Sequence, residues 1–456
     1  MPLLNYPELI GIQLGWLAIG CFWLLRRNDE IPLLVSFFLL YVTGYRYWVV
    51  SIGLNNWVNL SQFGIPRVTT SESLEALAYL VLAQSCFLIA YLWNQKRRMP
   101  IVESMTLSPF LVWLRPKVIT FGLFCLPLVL ITRGSVVGQL RAGRSLAFQV
   151  SGYLYQFPFV LVGIATLIMC MWKFGGMPRR WHKVAAIIIL VGVANLTFKV
   201  SGRFQLIGWL ATTGIIFSSS FKPKYRLCFL GGFLVLAASV FAIAGALRSH
   251  GADGTLQAVA LERFIGAEDA NMLDGFVILR RFMPNRVPFR LGMTHLEILL
   301  RPIPRAIWPY KPVGGGYMAQ AGLSSAHGGF TIGISPTLFG DFYSEGGMIA
   351  MVALAIGYGI VLARLVRWTV WLHPFAGVLV RAMICASLVP VLRGGDMAGI
   401  VAWLGMAFWP CFLVLWIKRK EFDLKRLYQE WYQQSYGGSA HSVGSNISKN
   451  HENASE

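Results

Sequence analysis

Arginine is the side chain best shaped to grip a phosphate, because its planar fork offers paired N–H donors. This sequence holds arginines in the breaks between its apolar runs. Arg133, Arg141 and Arg144 form one group, and Arg203 sits in the turn Ser201-Gly202-Arg203. Arg280, Arg281, Arg286, Arg290, Arg301, Arg305 and Lys311 form another, and Arg393 stands alone. Acids and histidines share those breaks: Glu262, Glu268, Asp269, Asp274, Glu297, Asp341, Glu345 and Asp396, with His250, His295 and His327. A hydroxyl that attacks an electrophile needs a base, and Asp, Glu or His can serve. Asp341 and Glu345 are four residues apart, so a helix puts them on one face. Each residue also has a plainer reading. An arginine can snorkel or brace a loop, a carboxylate can sit solvated at an interface, and a histidine can be a hydrogen-bonded loop residue. Arg46 and Arg381 fall inside apolar runs, where a charge marks a functional site unless it reaches an interface.

The apolar runs are the elements that must position these groups. Of 456 residues, 56% are hydrophobic and 13% charged, against about 25% charged in soluble domains. Ile31 to Leu54, Leu74 to Trp93, Leu227 to Leu247 and Met348 to Val366 are each long enough to cross about 30 Å of hydrocarbon as helix, and too continuous for barrel strands. The expected fold is an all-α integral membrane protein with about eleven transmembrane helices. They cover residues 7–25, 31–54, 74–94, 117–132, 148–172, 184–199, 205–220, 227–247, 333–366 (with its membrane part starting near Gly346), 371–392 and 397–417. The first run lacks a basic start and a small-residue cleavage pattern, so it reads as a retained helix.

Charge sets the expected orientation. Arg26 and Arg27, then Lys96, Arg97, Arg98, Arg115 and Lys117, then Lys173, Arg179, Arg180 and Lys183, then Lys222, Lys224 and Arg226, then Arg364 and Arg367, and finally Lys418, Arg419 and Lys420 follow the odd-numbered spans. Those connections are expected in the cytoplasm, with the N-terminus outside and the C-terminus inside. This rule accounts for much of the net charge of +20, so nucleic acid is not an expected partner. The arginines of the first paragraph then lie on the outer face, against the rule, which calls for a use there.

Four regions follow: transmembrane helices over 1–247, a long outer loop over 248–332, transmembrane helices over 333–417, and a cytoplasmic tail over 418–456, polar and largely disordered. The loop far exceeds the usual connection of about 4–6 residues. Leu256 to Ile265, Ala270 to Arg281 and Met293 to Leu300 carry helical apolar spacing, so it is expected to be partly folded. The seven cysteines show no zinc-ligand or CxxC spacing, so neither disulfide nor metal is expected.

One loop segment carries a resemblance. Arg301-Pro302-Ile303-Pro304-Arg305-Ala306-Ile307-Trp308-Pro309-Tyr310-Lys311-Pro312 resembles the Pro-Arg…Trp-Pro…Lys-Pro signature of bacterial oligosaccharide repeat-unit polymerases, the O-antigen polymerase family. The run Ile334 to Gly347 is similar to that family's entrance to the following helix, and Ser201-Gly202-Arg203 to its arginine turn with Ser and Gly exchanged. The resemblance implies a periplasmic-face glycosyltransferase in the bacterial inner membrane, with an architecture like the C-type glycosyltransferases and O-antigen ligases. It would move a growing glycan from its polyprenyl diphosphate carrier to the terminal sugar of a new lipid-linked unit, without a cofactor or metal. Its expected partners are a polyprenyl-diphosphate-linked oligosaccharide, membrane lipid and a regulator of polysaccharide chain length.

Arg203 is then the leading diphosphate-binding residue, followed by Arg290, Arg301 and Arg305, with Lys311 and Arg141 in support. Asp341 is the preferred base and His295 the second. Trp308 and Tyr310 offer faces for sugar rings. A ligase would use the same donor with another acceptor. A lipid-linked oligosaccharide flippase would be expected to show paired repeats and midplane charges, which the sequence does not display.

Overall fold

The computed structural model describes residues 7–61, 65–102, 109–141, 157–199, 203–250, 265–266, 270–301, 303, 307–308 and 334–423. Every extended element among them is helical; the sole β pairing is the single bridge Leu372–Asp423. The long helices are α1 (Pro7–Arg27), α2 (Ile31–Ser51), α3 (Thr70–Asn94), α4 (Pro109–Arg141), α5 (Val160–Lys173), α6 (Arg180–Lys199), α7 (Arg203–Ser218) and α8 (Pro223–His250). The loop contributes α9 (Met272–Phe282) and α10 (Met293–Leu300), and the chain closes with α11 (Thr337–Trp368), α12 (Pro374–Arg393) and α13 (Met397–Ile417).

Each of the eleven apolar runs contains a helix among the described residues; of the run 148–172, residues 148–156 lie outside them. Seven of the described helices are long and apolar enough to cross a membrane: α1, α2, α3, α4, α11, α12 and α13. That is the pattern of a multi-pass membrane protein. Residues Phe157–Lys173 and Trp209–Ser218 are apolar but shorter. Both loop helices fall where apolar spacing put them, while the expected helix near Leu256 lies outside the described residues. One boundary differs. Helix α4 continues through Arg133 to Arg141, so these two arginines lie on a helix and not in a connection.

Between helices in lipid there is little hydrophobic drive, so close packing of small residues holds the bundle. On α11, Met351, Ala355, Gly359 and Ala363 are buried at four-residue spacing and face α3. A Cβ at Gly359 would stand 2.5 Å from the Phe87 carbonyl oxygen, so only glycine lets the backbones approach this far. Gly163 of α5 meets the Ala407 carbonyl of α13 in the same way, and the Cys411 thiol donates to the Gly163 carbonyl at 3.4 Å. All seven cysteines are free thiols.

The folded part of the loop is anchored by charge. Thr69 and Glu72 form a capping box at the start of α3. Arg281 of α9 grips the same Glu72 carboxylate through Nε at 2.8 Å and Nη2 at 2.6 Å, and donates also to the Pro66 and Arg67 carbonyls. Arg280 pairs with Glu75 and lies over the Tyr79 ring. For these two arginines, bracing is the observed role. Beneath them Leu273, Phe276, Val277 and Leu279 bury the apolar face of α9.

Candidate functional site

The site begins where α11 breaks. At Gly346 and Gly347 the backbone leaves helical geometry, and Gly347 takes a φ of 69°, which favours glycine. The break deprives the preceding turn's carbonyls of their helical donors, and a buried carbonyl without a donor is costly. The loop supplies replacements. The Arg290 amide donates to the Ser344 carbonyl at 2.9 Å, and the Leu291 amide to the Glu345 carbonyl at 3.0 Å. The buried Glu345 carboxylate then accepts from the amides of Gly292 and Thr294, the latter at 3.1 Å, and so caps α10. A carboxylate there also meets the positive end of the helix dipole.

This strap gathers the expected chemistry. Arg290 pairs with Glu297 at 2.5 Å. The His295 ring bonds the Tyr358 hydroxyl through Nε2 at 2.9 Å and stands 3.9 Å from Glu345 through Nδ1. Asp341 is buried, and its Oδ2 accepts from the Gly395 amide at 2.8 Å, holding the turn between α12 and α13. The next residue, Asp396, caps α13 through the Gly399 amide at 2.9 Å. Burial pushes the Asp396 carboxyl above its ordinary range, against the opposing pull of that amide, Arg301 and Arg290. Asp341 lies within electrostatic reach of Asp396, Arg290 and Glu345. Four expected site residues thus converge: Arg290, His295, Arg301 and Asp341. The pair Asp341 and Glu345 shares a helix face as its spacing requires, but that face is buried rather than solvated. Among the described residues no group of acids, histidines and cysteines is arranged to hold a metal ion.

Other expected site residues do not join this cluster in the described structure. Trp308 is exposed. Arg203 begins α7 and Arg141 ends α4, and only their backbone is described. Arg305, Tyr310 and Lys311 lie outside the described residues. Helix α7 does carry one relevant surface. Its Ala211 and Ile215 line an apolar crevice of about 120 Å³ with Leu34 of α2, Phe233 of α8 and Leu388 of α12, under Met272. Arg203 precedes Ala211 by two helical turns, a rise of about 12 Å.

Two further charge clusters lie within the bundle. Arg46 does not snorkel. It is buried and donates to Asp274 through Nε at 3.1 Å and Nη2 at 3.3 Å, and to the Asn56 carbonyl at 2.7 Å, tying α9 to α2. It follows a π-helical turn, Leu40–Tyr45. At the opposite end, the corner Asn28-Asp29-Glu30 is wholly buried. Arg226 and Arg381 both clamp Glu30, the first at 2.9 Å, and Asp29 accepts from the Tyr91 hydroxyl at 2.8 Å. Burial, and then its neighbour Glu30, push Asp29 up to about 6. Burial would raise Glu30 too, but the two arginines outweigh it and hold that carboxyl below its ordinary value. Arg381 was suspect from sequence as an intramembrane charge. Glu30 and Tyr358 carried no such signal, because a lone acid beside a helix start and a tyrosine in an apolar run are both ordinary.

Compared with known protein families, curated proteins and solved structures, this chain matches none.

Proposed function

We propose that this chain polymerises polyprenyl-diphosphate-linked oligosaccharide repeat units on the outer face of a bacterial inner membrane. The observation that carries the reading is the convergence of Arg290, Arg301, His295 and Asp341 around the broken helix α11. The Pro-Arg…Trp-Pro…Lys-Pro segment supports it, because it follows Arg301 of that cluster by three residues in the chain. The apolar crevice along α7 supports a lipid-borne donor, since a polyprenyl chain needs apolar lining and its diphosphate needs cations near the mouth.

In this reading the acceptor sugar hydroxyl attacks the anomeric carbon of the donor glycan. The new glycosidic C–O bond forms as the bond to the diphosphate breaks. The leaving oxygen keeps the electron pair, and Arg203, Arg290 and Arg301 offset the charge that develops on the diphosphate. The hydroxyl proton goes to a base. His295 is the better candidate, because its ring is partly exposed, bonded to Tyr358 and oriented by the nearby Glu345. Asp341 is buried with one oxygen committed to the Gly395 amide, so the reading gives it a bracing role.

The test is complementation of a deletion strain, scored by surface polysaccharide length. Arg203→Ala is expected to leave single capped repeat units, and long chains in that variant would sink the proposal for Arg203. His295→Ala should lose roughly 10²-fold or more in rate, whereas Asp341→Asn should lose less at matched protein level. Full activity in both removes both as bases. A ligase would instead lose attachment of polymer and keep its length distribution.

A further inference from the structure

A second site lies at the far end of the bundle from the loop helices. There a pocket of about 430 Å³ opens between the segment Pro100–Val102, the turn at Thr369–Leu372 and the first two turns of α12. Its α12 wall is one stripe, Pro374, Gly377, Val378 and Arg381, at helical spacing. Most of the lining is apolar, and Arg381 supplies the charge.

Arg381 is 5% exposed, and only part of its guanidinium is used. Its hydrogen bonds to Glu30 and to the Asn28 carbonyl both leave from Nη2, and its buried Nε has no partner. A buried donor without an acceptor is costly, so this fork has capacity left for one more acceptor. The surroundings select an anion. Lys96, Arg97 and Arg98 run directly into the Pro100 wall, and Arg97 stacks on Trp371 at 4.5 Å beside the opposite wall. A buried arginine, a second arginine on the adjoining Trp371 and apolar walls suit a phosphate ester that carries an apolar body.

We propose that this pocket binds a phosphate group, held by the guanidinium of Arg381, with Arg97 on Trp371 as the neighbouring cation. The source is either an anionic phospholipid headgroup or free phosphate. The proposal is independent of the glycan-polymerising reading, since no residue of the Arg290 and His295 cluster takes part.

The experiment uses the purified full chain in a neutral detergent and follows thermal unfolding by the fluorescence of its 16 tryptophans. Phosphatidylglycerol, phosphatidylcholine and inorganic phosphate are titrated separately. The wild type should be stabilised saturably by phosphatidylglycerol more than by phosphatidylcholine. Saturable stabilisation by inorganic phosphate at the same site would assign free phosphate as the source. Val378→Trp fills the pocket from α12, and Ile101→Trp fills it from the exposed segment, where folding is not at risk. Ile101→Trp should raise the apparent Kd at least tenfold with an unchanged ligand-free midpoint, and Val378→Trp, at a buried position, should raise it as much while lowering that midpoint. Stabilisation of Ile101→Trp equal to wild type would overturn the proposal, as would no response of the wild type to any of the three.

Discussion

Glu345→Ala isolates the contact on which the outer cluster depends. The carboxylate accepts from two amides, Gly292 and Thr294, and its burial keeps water from replacing it. Hydrogen bonds to a charged group contribute about 1.5–3 kcal/mol each. Taking the lower figure for both gives about 3 kcal/mol, which at 1.4 kcal/mol per decade raises local opening on the order of 100-fold. The readout is amide exchange by mass spectrometry on the full chain in detergent, in peptides covering 289–300 and 340–350. Exchange should rise by that factor in both stretches, because the Arg290 and Leu291 amides bond to the Ser344 and Glu345 carbonyls. Peptides from α12 should not change. Glu345→Gln keeps an acceptor oxygen and should show a smaller rise, and His295 should lose its alignment in both variants. Exchange within about threefold of wild type in Glu345→Ala would refute the capping argument.

Two other outcomes test the charges buried within the bundle. Arg46→Ala leaves Asp274 buried without its cation and should cost about 3–5 kcal/mol, whereas Arg46→Met with Asp274→Leu should recover much of that in thermal unfolding. Asp29 rises from 3.8 to about 6 in the folded chain, so the folded state holds this proton more tightly than the unfolded state does. That contribution is complete below about pH 4 and is lost as pH climbs through about 6. Asp29→Asn should flatten this part of the stability profile between pH 4 and 7, and a profile parallel to wild type would count against it.

The helices were readable because their signal is local. Each of the eleven apolar runs contains a helix among the described residues, and the spacing in Ala270 to Arg281 and in Met293 to Leu300 marked the two loop helices almost to the residue. Charge partners were not readable, because they join distant parts of the chain. Arg281 and Glu72 are 209 residues apart, and Arg381 and Glu30 are 351 apart. The same charge excess that suggested a binding face turned out to be partly mechanical, since Arg280 and Arg281 brace α9 onto α3. The sequence expectation put the start of the membrane part of α11 near Gly346, and the structure breaks the helix at Gly346 and Gly347. Sequence did not foresee that the chain before α10 would complete the hydrogen bonding of that break. Nor could the sequence show that Asp341 is buried and holds the Gly395 amide.

The break in α11 has a mechanical consequence. Glu345 rides on the segment above it, and Tyr358 on the segment below. His295 touches both, at 3.9 Å and 2.9 Å. The imidazole therefore works as a gauge across a hinge. A change of a few degrees in the angle between the two segments must either lengthen one of these contacts or swing the ring. A substrate that leans on the upper segment would thus reset the histidine without touching it, and the strap of amides from Arg290 to Thr294 sets how far that swing can go.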